Sequence, residues 1–130
     1  MAEAELRIAH TEALFRSVNE RIAESAERFS AENAEFVCEC ADPACAERIP
    51  ATLDQYEEVR ADATHFLLVP GHELEEVERV VKRPHKRFAV VEKFDKIIAR
   101  TVRRLDPRAQ PPLLEEAHSK EMNRASAKSE

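Results

Sequence analysis

A single glycine, Gly71, occurs in the chain, and there is no tryptophan. One glycine cannot build a phosphate-cradling loop, a dinucleotide-binding fingerprint or a strained nucleophile elbow, each of which needs at least two. The standard nucleotide-using and serine-hydrolase designs are thereby excluded. Aromatic residues make up only 5% of the sequence, so the core must rest on Val, Ile, Leu, Ala and Phe. No apolar run approaches the roughly 20 residues of a membrane-spanning helix. The longest, Phe66-Leu67-Leu68-Val69-Pro70, has the length of a core strand. The opening residues, Met1-Ala2-Glu3-Ala4-Glu5-Leu6-Arg7, lack the basic start and apolar stretch of a secretory leader. A cytoplasmic protein with no membrane segment is expected. Cysteine is scarce and odd in number: three residues, all within eight positions, which argues against a disulfide framework.

What is present is charge, at 35%, beside 43% hydrophobic residues in a chain of 130, enough for one domain with a real core. The charge is unevenly distributed. Residues 34–81 carry twelve acids and three bases, whereas residues 82–108 carry three acids and ten bases. The basic block, with Lys82, Arg83, Lys86, Arg87, Arg100, Arg103 and Arg104, could pair with the acidic middle, meet an acidic protein partner or follow a phosphate backbone. A net charge of −6 and an isoelectric point near 5.5 disfavour nucleic acid.

Residues 5–30 predict one amphipathic helix. Ile8, Thr11, Phe15, Val18, Ile22, Ser25 and Phe29 recur at alternating spacings of three and four, with Leu14 widening the stripe. This stripe is expected to bury on the domain's own sheet, although its near-heptad order also permits a coiled-coil-like contact with another chain. Residues 35–40 read as a short strand, and Asp42-Pro43 as a turn. Thr52 and Gln55 fit a capping box that opens a second, short helix. Residues 65–69 and 87–94 predict strands, with 82–86 as a hairpin loop. Residues 74–83 fit strand or helix. Ile97, Ile98, Val102 and Leu105 suggest a short basic helix ending near Asp106-Pro107.

Cys38, Cys40 and Cys45 form C-x-C-x4-C. A structural zinc site needs four soft or borderline ligands in a tetrahedron, and three on one short segment can wrap a cation if the turn at Asp42-Pro43 folds back. His10, His65, His72, His85 and His118 are the candidates for the fourth. His72 is preferred, because it follows Pro70-Gly71, where the lone glycine permits a sharp turn. His65 is the second choice. With three thiolates and His72 the shell is closed and structural. Without His72 a water-bearing site becomes possible, with Glu39 or Glu73 as candidate general bases. Two other readings stay open: a redox-active thiol pair and three ordinary buried cysteines. The acidic neighbours Glu39 and Asp42 would raise a free thiol's pKa, which counts against a reactive metal-free cysteine. His72-Glu73-Leu74-Glu75-Glu76 begins like H-E-x-x-H but ends on Glu76, so the metalloprotease signature fails.

The C-x-C-x4-C spacing resembles the post-SET zinc module, in which three cysteines take a fourth ligand from a distant part of the chain. That likeness covers eight residues and implies a workable geometry for zinc, not a shared activity. More broadly, Leu14-Phe15-Arg16-Ser17-Val18-Asn19-Glu20-Arg21-Ile22, the cysteine cluster, Tyr56-Glu57-Glu58-Val59-Arg60, Val69-Pro70-Gly71-His72-Glu73 and Val90-Val91-Glu92-Lys93 resemble a group of small bacterial proteins, chiefly actinobacterial. The resemblance implies a small bacterial cytoplasmic protein and adds no mechanism.

The expected fold is α+β. An N-terminal helix (residues 1–33) belongs to the same domain as a metal-binding core (34–106), and a flexible tail follows (107–130). The core would hold a small, mostly antiparallel sheet, a second short helix and a zinc-knuckle-like cluster of Cys38, Cys40, Cys45 and His72. The expected function is a zinc-stabilised interaction or regulatory module rather than an enzyme. Its protein partner would dock on the 82–108 segment or the N-terminal helix. A zinc-gated redox sensor and a metal-assisted hydrolase with an open position are the alternatives.

Overall fold

Ala2–Arg28 form one long helix, α1, in the computed structural model, which describes residues 2–85 and 87–108. The expected tail therefore lies outside the described residues from 109 onward. No glycine is available to stop α1. Ser30 takes the left-handed conformation (φ 57°) instead, with Ser30 N–H donating to Glu27 C=O and Ala31 N–H to Ala26 C=O. These two bonds make a Schellman-type stop, which satisfies carbonyls that a helix end otherwise leaves unpaired.

Strands β1 (Asn33–Val37) and β2 (Arg48–Thr52) pair antiparallel, Phe36 opposite Ile49. Helix α2 (Leu53–Arg60) starts on the predicted capping box: Thr52 Oγ1 accepts from Gln55 N–H, and Gln55 Oε1 accepts from Thr52 N–H. Strands β3 (His65–Leu68), β4 (Glu78–His85) and β5 (Phe88–Lys93) form a second antiparallel sheet in the order β3-β5-β4. The ambiguous 74–83 segment thus resolves as loop followed by strand. β4 runs through the expected hairpin loop to residue 85, with two register shifts against β5. Pro84 is tolerated there because β4 is an edge strand. Helix α3 (Lys96–Leu105) opens on Asp95, whose carboxylate accepts from Ile98 N–H. The fold is α+β, as expected.

Two further expectations are corrected. The strand at 35–40 ends at Val37, because the chain changes partner there: Cys38 N–H still donates to Glu47 C=O, but Glu39 N–H donates to Leu67 C=O on β3. The second correction concerns α1. Its buried face is Ala9, Glu12, Ala13, Arg16, Asn19, Ala23 and Ala26, and the apolar stripe lies to one side of it, with Ile8 and Ile22 half-buried against the core. Leu14 is 63% exposed, Val18 39% and Phe29 75%. The alanines let α1 lie close on α3 and β1, and the polar side chains reach partners inside the domain. A hydrophobicity count cannot see such a face.

The core combines an apolar cluster with buried charge. The rings of Phe36 and Tyr56 stack at 4.6 Å, packed with Ile49, Phe66, Leu67, Ile98 and Val102. Arg16, 1% exposed, lies over the Phe66 ring and donates to the carbonyls of Ala63 and His65. Arg60 joins Glu20 and Asp106. Lys93 sits between Glu12 and Glu78. Buried charges persist when they are paired, and here the cations reach carboxylates on elements far apart in sequence, with Lys93 shared between two of them.

Candidate metal centre

Val37 is the last residue of β1, and the chain then runs past the end of β3. Glu39 anchors this passage. It is fully buried, accepting from Asn19 Nδ2 at 2.8 Å and from Leu67 N–H at 3.0 Å. Because successive side chains of an extended segment point to opposite sides, Glu39 turned towards α1 leaves Cys38 and Cys40 on the other side together. Burial is the largest influence on Glu39 and pushes its pKa up, while Arg16, Asn19 and Leu67 N–H pull it back.

Asp42 builds the reversal that returns Cys45. Its Oδ1 accepts from Ala44 N–H at 2.9 Å, and its carbonyl accepts from Cys45 N–H at 3.0 Å. A second turn brings His72. His72 N–H donates to Val69 C=O at 3.0 Å across Pro70 and Gly71, and Gly71 has φ +95°. Pro then a positive-φ residue is the pattern of a type II turn. A Cβ on Gly71 would meet nothing within 4 Å, so the glycine is required by its dihedral angle rather than by space.

These turns bring together all four sequence-predicted ligands. The Sγ atoms of Cys38, Cys40 and Cys45 and one ring nitrogen of His72 lie within 4.8 Å of one another. His72 Nδ1 is 3.4 Å from Cys38 Sγ and 3.8 Å from Cys45 Sγ. Around a tetrahedral ion with metal–sulfur and metal–nitrogen bonds of about 2.3 and 2.05 Å, a sulfur and a nitrogen stand about 3.6 Å apart. The group could therefore hold a metal ion. Val69 N–H also donates to Cys38 Sγ at 3.2 Å, the kind of contact that steadies a thiolate.

Burial pushes the Cys38 thiol well above its ordinary pKa; Val69 N–H opposes this, and the two other cysteines add to it. Burial also raises Cys40, against the Asp42 N–H. The cause is chiefly desolvation rather than the acidic neighbours suggested by the sequence. A bound cation reverses this logic, because thiolates facing a metal are deprotonated by it.

The alternative bases are engaged elsewhere. Glu39 is committed to Asn19 and Leu67, and Glu73 Oε1 accepts from Gly71 N–H at 3.1 Å. His65, the second choice as fourth ligand, stands instead with Asp62 and Glu92. The sequence reading did not find that grouping, because Glu92 reaches it only through strand pairing. Some of the basic block is used internally: Lys93 with Glu12 and Glu78, Arg108 with Glu20 and Glu57. Among the described residues no helix is long and apolar enough to cross a membrane. No family model, curated protein or solved structure matches the chain.

Proposed function

We propose that the protein is a zinc-stabilised interaction module in which Cys38, Cys40, Cys45 and His72 form a closed structural site. One observation carries the reading: four donors from two stretches of chain, residues 38–45 and the turn at His72, converge within 4.8 Å. Three thiolates and an imidazole favour zinc over hard cations, and four protein ligands leave no position for substrate. Burial of Cys38 (1% exposed) and Cys40 (2%) supports a structural role over a redox sensor, whose thiols need access. Elemental analysis of reduced, untagged protein is expected to give about one zinc per chain. Cys40→Ser and His72→Ala should each lower that content. Wild-type protein that takes up no zinc on reconstitution would sink the reading.

The interaction face we assign is the outer side of α1. Val18, Leu14 and Phe29 are exposed there, with Phe15 and Ile22 half-buried beside them. Arg7, Arg21 and Arg28 flank the seam at multiples of seven residues, and among the described residues they make no ion pair. An apolar heptad seam edged by arginine fits an amphipathic helix with acidic flanks on a partner protein. Two copies of this face, packed antiparallel, would set arginine edge against arginine edge. The isolated protein should therefore sediment as a monomer. A dimer that Val18→Glu dissociates would show that the seam serves self-association instead.

A further inference from the structure

At the junction of α2 and the three-stranded sheet, three side chains from separate places meet. Asp62 lies in the loop after α2, His65 opens β3, and Glu92 lies opposite His65 on β5. Their ligand atoms are all within 4.8 Å of one another, and Asp62 Oδ2 is 3.6 Å from His65 Nε2. Two nitrogen or oxygen donors bound to one ion at about 2.1 Å stand about 3.0–3.4 Å apart. The Asp62–His65 separation lies close to that range.

The arrangement is held from behind. Asp62 Oδ1 accepts both from Thr64 N–H and from Thr64 Oγ1, each at 2.9 Å, leaving Oδ2 to face His65. His65 N–H donates to Asp62 C=O at 3.0 Å, and the His65 carbonyl accepts from buried Arg16. Among the described residues, Glu92 has one competing contact, Arg79 at 3.4 Å across the strand pair. His65 and Glu92 are half-buried, while Asp62 is exposed, so one side of the group faces water. Beside His65 a small cleft is lined by Gln55, Glu58 and Lys82 on its polar side and by Val59 and Phe88 on its apolar side.

We infer that Asp62, His65 and Glu92 form a second divalent-cation site, open to solvent, distinct in chemistry from the cysteine cluster. One imidazole and two carboxylates suit Mn²⁺ and similar oxygen- and nitrogen-preferring ions, whereas three thiolates and an imidazole suit zinc. Three protein ligands leave coordination positions for water or a small anion, and Lys82 in the adjoining cleft supplies positive charge for such an anion. The closed site and the open site thus divide structural and exchangeable metal between them.

The test titrates Mn²⁺ into the full-length, zinc-loaded protein and counts free ion by electron paramagnetic resonance. Water-proton relaxation is recorded on the same samples. One Mn²⁺ per chain with enhanced relaxation is expected, the enhancement reporting bound, exchanging water. His65→Ala and Asp62→Asn should each weaken binding by roughly tenfold or more. Asp62→Asn keeps the Oδ1 acceptor for Thr64, which guards against loss of fold. Glu24→Gln, removing an exposed charge on α1, should leave binding unchanged. Equal Mn²⁺ affinity in wild type, His65→Ala and Asp62→Asn, or no uptake at millimolar Mn²⁺, would overturn the site and leave only the Asp62–His65 contact. Zinc content, measured separately, keeps this result independent of the cysteine cluster.

Discussion

Chelation of the zinc-loaded protein is expected to lower its stability by about 4 kcal/mol, if zinc stands roughly 1,000-fold above its dissociation constant. The effect should be large because the metal would close the 38–45 segment on itself at the Asp42 turn and tie it to the turn after β3. Without it, β1 and β2 form a separate two-stranded sheet, held by the packing of Phe36 and Ile49 in the core and by Asn19 on Val37, and joined to β3 by few bonds. In a chain of 130 residues, 4 kcal/mol corresponds to a fall in melting temperature of roughly 10–30 °C. The choice of variant matters. Cys38 and Cys40 are core residues as well as ligands, so replacing them also disturbs packing. Cys45 and His72 are only half-buried, and Cys45→Ser and His72→Ala isolate the loss of the metal. Both variants should melt near the chelated wild type, with or without added zinc. Identical melting of wild type in zinc and in chelator would show that metal contributes nothing to the fold.

The parts of this protein legible in its sequence are those whose chemistry is local. The capping box at Thr52 and Gln55 spans four residues and needs nothing beyond them. The turn at Pro70-Gly71 is written by the one residue that takes φ +95° without strain. The fourth candidate ligand, His72, could be chosen because that turn presents it. The buried face of α1 was not legible. Glu12, Arg16 and Asn19 are polar, and their partners Lys93, Ala63, His65, Val37 and Glu39 lie 18 to 81 positions away. Nothing in a helical stripe announces a partner at that distance. The apolar stripe therefore looked like the buried face, although its period of three and four marks a seam for another helix just as well. The same limit hid the grouping of Asp62 and His65 with Glu92, which requires the β3–β5 register.

Lys93→Met should cost about 3–5 kcal/mol, the loss typical of breaking a buried ion pair from one side. Lys93, Glu12 and Glu78 all have fully buried side chains. Lys93 Nζ contacts Glu78, lies 2.8 Å from Glu12 Oε2 and stands 4.7 Å from the centre of the Phe66 ring. Its contact with Glu12 is off-axis, so neither Glu12 oxygen takes a well-aligned hydrogen bond. One cation therefore serves two carboxylates, and Glu12 is the poorly served one. Its pKa is raised to about 7: burial is the largest cause, Lys93 pulls against it, and Glu78 adds to it. An acid whose pKa is higher in the folded state binds more protons folded than unfolded. Its contribution to stability is then fully present below about 4.5 and is lost as the pH rises through about 7. Glu12→Gln should accordingly be near neutral at pH about 4 and stabilising relative to wild type at pH about 8. With Met at position 93, two carboxylates face each other without a cation, and one must take a proton or the core must admit water. Adding Glu12→Gln to Lys93→Met removes that repulsion and should restore a substantial part of the loss. Leu74 N–H still donates to Glu78 Oε2 at 2.9 Å, so Glu78 keeps one partner in the double variant. Urea denaturation of the four proteins at pH about 8 gives the coupling between residues 12 and 93 directly. If Lys93→Met lies within about 1 kcal/mol of wild type, an exposed pair's worth, the triad is solvated rather than buried and the polar core described for α1 falls with it.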